Sequence, residues 1–301
     1  MYVITGATGH TGSVVAEKLL WAKEKVRAIG RDKGRLDRFA QKGAEPFLAD
    51  MTDENALTRA FAGAKAVYAL IPPNIGSASV SVYQKRVTDA IAAAIEKNKV
   101  PYAVALSSFG AEKPGKTGPV VGLHQLEEKL GAISGLNALF LRAGYFMENI
   151  LPQANLIKSY GRMMGPVRAD LKLPMIATRD IGTAAADALR KLDFQGKKTR
   201  ELQGARDVSY GEVAKLAGAA IDKPDLQYSQ APAAQIKMGM MQMGMSANMA
   251  ELLLEMSDAM NAGYMKPLEP RSAANTTPTT IETFLAEEFV PAYQEKAAAG
   301  A

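Results

Sequence analysis

Three glycines spaced three apart, Gly6, Gly9 and Gly12, sit in the run TGATGHTG at residues 5–12. Such a run can cradle a pyrophosphate. Gly6 supplies a tight turn that a Cβ would block. Gly9 lets backbone approach the phosphates, and Gly12 lets a helix pack close against the strand before it. The free N–H groups and the dipole at the helix start then face the negative charge. The spacing differs from the commoner G-x-G-x-x-G, so the setting decides. An apolar run, Tyr2–Ile4, precedes the glycines. From Ser13 a helical pattern follows, with Val14, Val15, Leu19 and Leu20 on one side and Glu17 and Lys18 on the other. About twenty residues past the turn comes Gly30-Arg31-Asp32-Lys33. An NAD site places an acid here against the ribose 2′-hydroxyl, whereas an NADP site places an arginine against the 2′-phosphate. Arg31 therefore predicts NADP(H), with Arg35 or Lys33 either assisting or merely solvated.

The elements that hold these residues come in alternation. A second strand, Lys25–Gly30, leads into Arg31, and a short helix spans Arg35–Lys42. A third strand, Glu45–Leu48, ends in Ala49-Asp50-Met51, which places Asp50 at the adenine edge. A helix over Thr52–Ala62 precedes an apolar fourth strand, Ala66–Ile71, stopped by Pro72-Pro73. A long helix, Tyr83–Lys97, precedes a fifth strand, Val100–Leu106, that runs into Ser107-Ser108. The unbroken apolarity of the fourth strand fits burial on both faces. Five strands alternating with helices predict an α/β architecture, a Rossmann-type doubly wound parallel sheet with right-handed crossovers. A dinucleotide then lies across the carboxyl ends of the strands, at the switch in strand order. The cofactor-binding candidates are accordingly Gly6, Thr8, Gly9, His10, Thr11, Gly12, Arg31, Arg35, Asp50, Met51, Ile71, Pro72, Ser107 and Ser108.

The second half has a looser pattern. A helix, Gly122–Leu130, and a sixth strand, Asn137–Arg142, precede Gly144-Tyr145-Phe146. A polar, glycine-containing stretch occupies Ser159–Met164. A strand (Pro174–Thr178), a helix (Asp180–Leu192) and a strand (Thr199–Gly204) follow. A helix over Ser209–Ile221 opens on a Ser-x-x-Glu capping box, and a strand covers Asp225–Ser229. Nine methionines between Met238 and Met265 predict two helices broken near Gly244-Met245-Ser246. They serve either as core filler or as an adaptable lid over an apolar pocket. A last helix, Thr279–Tyr293, with Glu282 placed for a capping box, precedes an Ala/Gly tail after Lys296 that is expected to fray. Residues 1–150 are thus read as the nucleotide-binding domain, with returning segments near 175–205. Residues 151–301 are mainly a smaller α+β C-terminal lobe for substrate, with the Met-rich helices at 232–265.

Composition closes several alternatives. The 301 residues contain no cysteine and two histidines, His10 and His124. Thiolate metal sites, cysteine nucleophiles and multi-histidine metal sites are excluded, and no metal is expected. The net charge of +5 comes from Lys and Arg spread among Asp and Glu. No nucleic-acid patch is expected, since such a patch is clustered. No apolar run reaches the roughly 18 residues of a membrane helix, and the first strand begins at Tyr2, leaving no room for a signal peptide. No membrane association and a cytoplasmic location are the expectations.

The segments TGATGHTG, Gly30-Arg31, Leu106-Ser107-Ser108 and Leu141-Arg142, the last followed by Tyr145-Phe146-Met147-Glu148-Asn149, together resemble the NmrA-like branch of the atypical short-chain dehydrogenase/reductases. The resemblance covers nearly the whole chain and is greatest to the bacterial NAD(P)H-dependent quinone, azo-dye and triphenylmethane-dye reductases of that branch. It implies NADP(H) held on the N-terminal sheet, with a smaller lobe over the nicotinamide. Ordinary short-chain dehydrogenases use a Tyr-x-x-x-Lys pair on the helix after the fifth strand, where the lysine lowers the tyrosine pKa and the tyrosine passes a proton to a carbonyl. Aligning Glu128 with the acid usual in that helix puts Val120 at the tyrosine position and His124 at the lysine position. The tyrosine is missing, while a histidine at the lysine position occurs in the dye reductases resembled. His124 becomes a candidate for holding the nicotinamide ribose or donating a proton, against a structural histidine on a backbone carbonyl. Tyr145 and Phe146 flank nicotinamide or substrate, with Tyr145 a catalytic candidate and Phe146 equally a core residue. Arg142 is a site residue or an ion-pair residue, and Glu148 and Asn149 match the motif without an assigned role.

A flat, apolar, electron-poor acceptor stabilises an added hydride itself and can take its proton from solvent, so the missing tyrosine is no obstacle. The protein then positions two π-systems in a dry pocket. The expected function is an NADPH-dependent reductase acting on a small apolar or aromatic substrate such as a quinone or dye, with a homodimer as an open arrangement. The alternative is a non-enzymatic NADP(H)-sensing redox regulator that binds a protein partner, which uses the same motif and needs no tyrosine.

Overall fold

The computed structural model describes residues 1–295, and the tail after Lys296 lies outside them. In chain order the first unit comprises β1 (Tyr2–Ile4), α1 (His10–Trp21), β2 (Val26–Gly30), α2 (Lys33–Ala40), β3 (Glu45–Leu48), α3 (Glu54–Ala60), β4 (Ala66–Ala69), α4 (Val80–Lys97), β5 (Tyr102–Ser108), α5 (Val121–Gly131) and β6 (Asn137–Ala143). The chain continues through β7 (Tyr145–Phe146), α6 (Gln153–Tyr160), β8 (Met163–Gly165), β9 (Met175–Ile176), α7 (Thr178–Lys191), β10 (Lys197–Leu202), α8 (Tyr210–Ala220), β11 (Tyr228–Gln230), α9 (Ala233–Gln242) and α10 (Ala247–Asn261). It ends in α11 (Ile281–Phe284), a π turn (Leu285–Phe289) and α12 (Val290–Gln294).

Seven parallel strands form the central sheet in the order β10-β6-β5-β4-β1-β2-β3. This is the Rossmann-type doubly wound sheet expected from the alternation, and its order reverses between β1 and β4. At that switch Thr5 ties the two strands. Its Oγ1 donates to the Tyr68 carbonyl at 2.9 Å and accepts from Leu70 N at 3.1 Å. One face packs α1 and α7 around Val15, Leu19, Ile181 and Leu189. The other packs α3, α4 and α5 around Leu57, Ile91, Ile95 and Leu126. A third core, around Met147, Ile157, Val213 and Phe284, fills the smaller lobe, which carries two short parallel pairs, β11-β8 and β7-β9.

Element boundaries shift by a few residues in both halves, as for α4, which starts at Val80 rather than Tyr83, and in the second half the local reasons are visible. Ser159–Met164 is the end of α6, where Gly161 turns left-handed at φ 68°, followed by β8. The strand expected over Pro174–Thr178 shrinks to β9, because Thr178 begins α7 under a cap from Glu148. The strand expected at Asp225–Ser229 starts only at Tyr228, since Leu226 N bonds back to Lys223 O in a turn. The last helix begins at Ile281, because Asp180 takes both N and Oγ1 of Thr279. Thr280 is the cap, and Glu282 pairs with Arg206 rather than closing a capping box. The π turn falls just before Pro291, whose ring nitrogen has no hydrogen to donate.

Candidate active site

The glycine turn closes β1 onto α1. Gly6 adopts φ +59°, the left-handed region that disfavours a side chain. Gly6 O accepts from Gly9 N at 2.9 Å, and Ala7 N donates to Ile29 O at 3.1 Å. A Cβ on Gly12 would stand 2.3 Å from Gly6 O, so only glycine lets the helix sit this close to the turn. Thr11 Oγ1 is held from beneath by the hydroxyl of Tyr68 on β4, at 3.0 Å. No side chain caps α1, and the N–H groups of His10, Thr11 and Gly12 meet no acceptor among the described residues. Unsatisfied amides and a positive helix end at one point fit a pyrophosphate. Gly9 and His10 are exposed beside them.

The far end of this turn is cationic. Arg31 is exposed after β2, and Asp32 caps α2 by accepting from Arg35 N at 3.0 Å. The Arg35 guanidinium reaches back to Thr8 O at 2.7 Å, so α2 and the glycine turn are joined. Past β3, Asp50 accepts from Thr52 N and Oγ1 at 2.8 and 2.7 Å. Those bonds, with Arg31 and Arg86 nearby, hold its carboxyl below the usual range. Tyr83 also feels Arg31 and Asp50, and burial pushes its phenol up. Tyr83 and Arg86 on α4 thus join this end of the site. Sequence reasoning missed them, although a tyrosine and an arginine one turn apart at the start of the helix after β4 were a readable signal. Met51 turns into the core between α3 and the sheet, while Ile71 and Pro72 are half-buried beyond β4.

Beyond β5 and β6 the polar groups are mutually engaged. Ser107 Oγ donates to Glu127 Oε1 at 2.5 Å, and Arg142 grips the same carboxylate with Nε at 3.0 Å and Nη2 at 2.6 Å. This forked ion pair is half-buried, with Glu112 at 3.6 Å from Arg142. Arg142 is therefore an ion-pair residue, and Glu127 is the inward acid of α5. Ser108 Oγ donates to Phe109 O at 3.0 Å. His124 Nδ1 sits 2.9 Å from Ala111 O. A carbonyl only accepts, so that bond places the proton on Nδ1 and leaves Nε2 toward Glu128, 3.5 Å away. Phe146 packs on the sheet core and Tyr145 on the smaller lobe's core. Tyr145 Oη lies 2.9 Å from Tyr210 Oη. Glu148, given no chemical role above, accepts from Thr178 N at 2.8 Å and Oγ1 at 2.6 Å, and so caps α7.

The Met-rich helices are tied to the loops that follow β4 and β5. Ser246 N donates to Ile75 O at 2.8 Å, and Asn248 Oδ1 accepts from Val80 N at 2.9 Å, fixing the α9–α10 turn to the loop after β4. Glu255 accepts from Gly118 N at 3.1 Å, fixing α10 to the loop after β5. Met249, Met260 and Met265 are buried, whereas Met238, Met241 and Met243 on or next to α9 are exposed. Among the described residues no group of three or more His, Cys, Asp or Glu side chains is placed to hold a metal ion. No helix among them is long and apolar enough to cross a membrane.

A parallel sheet with a glycine turn and open helix amides at its switch point defines a nucleotide-binding Rossmann protein. More narrowly, the description of the NmrA-like family matches residues 2–285, and the chain belongs to that family. It is 27% identical over 258 residues to the NAD(P)H azoreductase of Xenophilus azovorans, covering 85% of this chain and 86% of that protein. It is 29% identical over 202 residues to quinone oxidoreductase 2 of Escherichia coli, covering 65% and 66%. Among solved structures, the NADPH-dependent quinone oxidoreductase of Escherichia coli in complex with NADPH shares the fold with a TM-score of 0.80. The identity there is 23%, over 95% of this chain and 99% of that one. The triphenylmethane reductase of Citrobacter sp. gives a TM-score of 0.77 at 18% identity, over 95% and 98%.

Proposed function

We propose that the protein is an NADPH-dependent reductase that delivers hydride to a small, flat, apolar acceptor of the quinone or dye class. The observation that carries this reading is the pairing of open amides at His10, Thr11 and Gly12 with Arg31 one strand away. The amides hold the pyrophosphate, and Arg31, aided by Arg35, holds the 2′-phosphate. Asp50 and Met51 border the adenine, and Ile71 and Pro72 border the next stretch of the nucleotide. Ser107, Ser108, His124, Tyr145 and Phe146 border the nicotinamide end. Bound nicotinamide supplies the hydride. The chain's task is to align the acceptor and exclude water beneath the α9–α10 roof. His124, fixed by Ala111 O, presents its other nitrogen as a positioning contact for the ribose. Buried Val120 stands where ordinary short-chain dehydrogenases carry the acid, so the acceptor must bear its own developing charge. The relatives named for azo and quinone substrates favour acceptors of that kind.

Stopped-flow oxidation of NADPH, monitored with a panel of quinones and azo and triphenylmethane dyes, tests the proposal. Turnover with at least one class is expected. A protein that binds NADPH tightly yet oxidises it with none of them is a nucleotide-sensing regulator instead.

A further inference from the structure

Tyr145, Tyr210 and Tyr228 form a row of phenols running from the end of β6 into the smaller lobe. Tyr145 and Tyr210 hydroxyls are 2.9 Å apart, and their rings meet edge-on with centroids 6.0 Å apart. Tyr210 stacks on Tyr228 at 4.8 Å, and Tyr228 donates its hydrogen to Val167 O at 2.8 Å. Counting hydrogens fixes the direction of the bond between Tyr145 and Tyr210. The pair carries two hydroxyl hydrogens and shares one hydrogen bond, so one hydrogen is left over. Tyr210 is 4% exposed, and its hydroxyl has no other partner among the described residues. A spare donor there would be buried and unsatisfied, which folded chains avoid. Tyr210 therefore donates to Tyr145, and the spare hydrogen belongs to Tyr145, the more open of the two. Burial pushes all three phenols up, so they stay protonated at neutral pH. A hydroxyl that receives a hydrogen bond is also the stronger donor.

Resting on the reductase reading above, we propose that the Tyr145 hydroxyl is the hydrogen-bond donor to the oxygen of a quinone-type acceptor, with Tyr210 as the residue that positions and polarises it. The acceptor gains two electrons and one proton as hydride from the reduced nicotinamide, which is left oxidised. Negative charge develops on the acceptor oxygen facing Tyr145. Tyr145 hydrogen-bonds that oxygen without giving up its proton, and water supplies the second proton that completes the hydroquinone. A cationic triarylmethane dye takes hydride at carbon and becomes neutral, so it has no oxygen for Tyr145 to serve.

The test compares Tyr145→Phe and Tyr210→Phe with wild type, using menadione and malachite green as acceptors. Tyr145→Phe is expected to lower kcat for menadione about 100- to 1,000-fold, the range seen when one donor to a developing oxyanion is removed. Turnover of malachite green falls far less than that of menadione, so the ratio of the two activities shifts. Tyr210→Phe lowers menadione turnover less and in the same selective way. An equal loss with both acceptors, or no loss with menadione, overturns the assignment. A second readout needs no turnover: fluorescence titration with the anion of hydroxynaphthoquinone, a stable oxyanion. Weaker binding to Tyr145→Phe supports the donor role, and equal binding overturns it. If wild type reduces neither acceptor, the reductase reading falls and this titration alone decides the role of Tyr145.

Discussion

At Gly12 one methyl group separates the close packing of this helix from a clash with Gly6 O, and the proposed 2′-phosphate contact rests on Arg31. Arg31 is exposed, and no salt bridge to an acid engages it among the described residues, so its guanidinium is available for a phosphate. Arg31→Ala is expected to raise the Kd for NADPH about 10- to 100-fold, which is about 1.4–2.7 kcal/mol, and to leave that for NADH unchanged. Isothermal titration with both nucleotides checks it, and equal weakening of both would remove Arg31 from the 2′-phosphate. Gly6 and Gly12 were legible in the sequence, because backbone geometry demands a particular residue type at particular distances along the chain. Glu127, Arg142 and Tyr210 were not legible in the same way. Their meaning lies in the partners they meet across 15 residues for Glu127 and Arg142 and 65 for Tyr145 and Tyr210, and no local pattern announces such pairs.

Among the elements, α7 shows how a distant side chain sets a boundary. No side chain of its own N-cap, Ala177, bonds the helix; Glu148 does so from beyond β7. Glu148→Ala should therefore destabilise the protein by about 1 kcal/mol, the usual worth of a cap, while leaving the Kd for NADPH unchanged. Urea unfolding and a nucleotide titration on the same preparation separate the two, and a large loss of NADPH affinity would show Glu148 to be more than a cap. The same logic explains which elements the sequence revealed. The strands and helices of the first half are set by their own apolar pattern, so their order was readable, while limits such as the start of α4 at Val80 rather than Tyr83 were not. In the smaller lobe the limits answer to Glu148, Asp180 and the Leu226 turn. Periodicity located those helices but placed their ends a few residues off.

Over the whole molecule, acid should loosen the smaller lobe. Glu212 on α8 binds Lys172 at 2.5 Å and also Arg206, which in turn binds Glu282 of α11 at 2.6 Å. These cations hold both carboxyls below their ordinary range, through the Lys172 bond first for Glu212 and, for Glu282, through Arg206 against the opposing effect of burial. A carboxyl whose pKa is lower folded than unfolded stabilises the fold fully above its unfolded pKa, about 4.3, and that stability fades as pH falls through the folded value. The melting temperature should thus be level from neutral pH down to about 5 and fall below it. Arg206→Met should make the fall shallower, and an unchanged slope would mean that other carboxyls govern it. The sheet's seventh strand has a different consequence, for the order of synthesis. β10 pairs with β6 along its length, Lys197↔Ala138 to Leu202↔Ala143, and α7 covers the sheet with Ile181, Ala185 and Leu189. Both reach the first unit only after the chain has left for the smaller lobe and returned. Until residue 202 has emerged from the ribosome, β6 is an open edge and one face of the sheet lacks its cover, so the two halves must mature together and a cut near residue 150 leaves a sticky fragment rather than a working nucleotide domain.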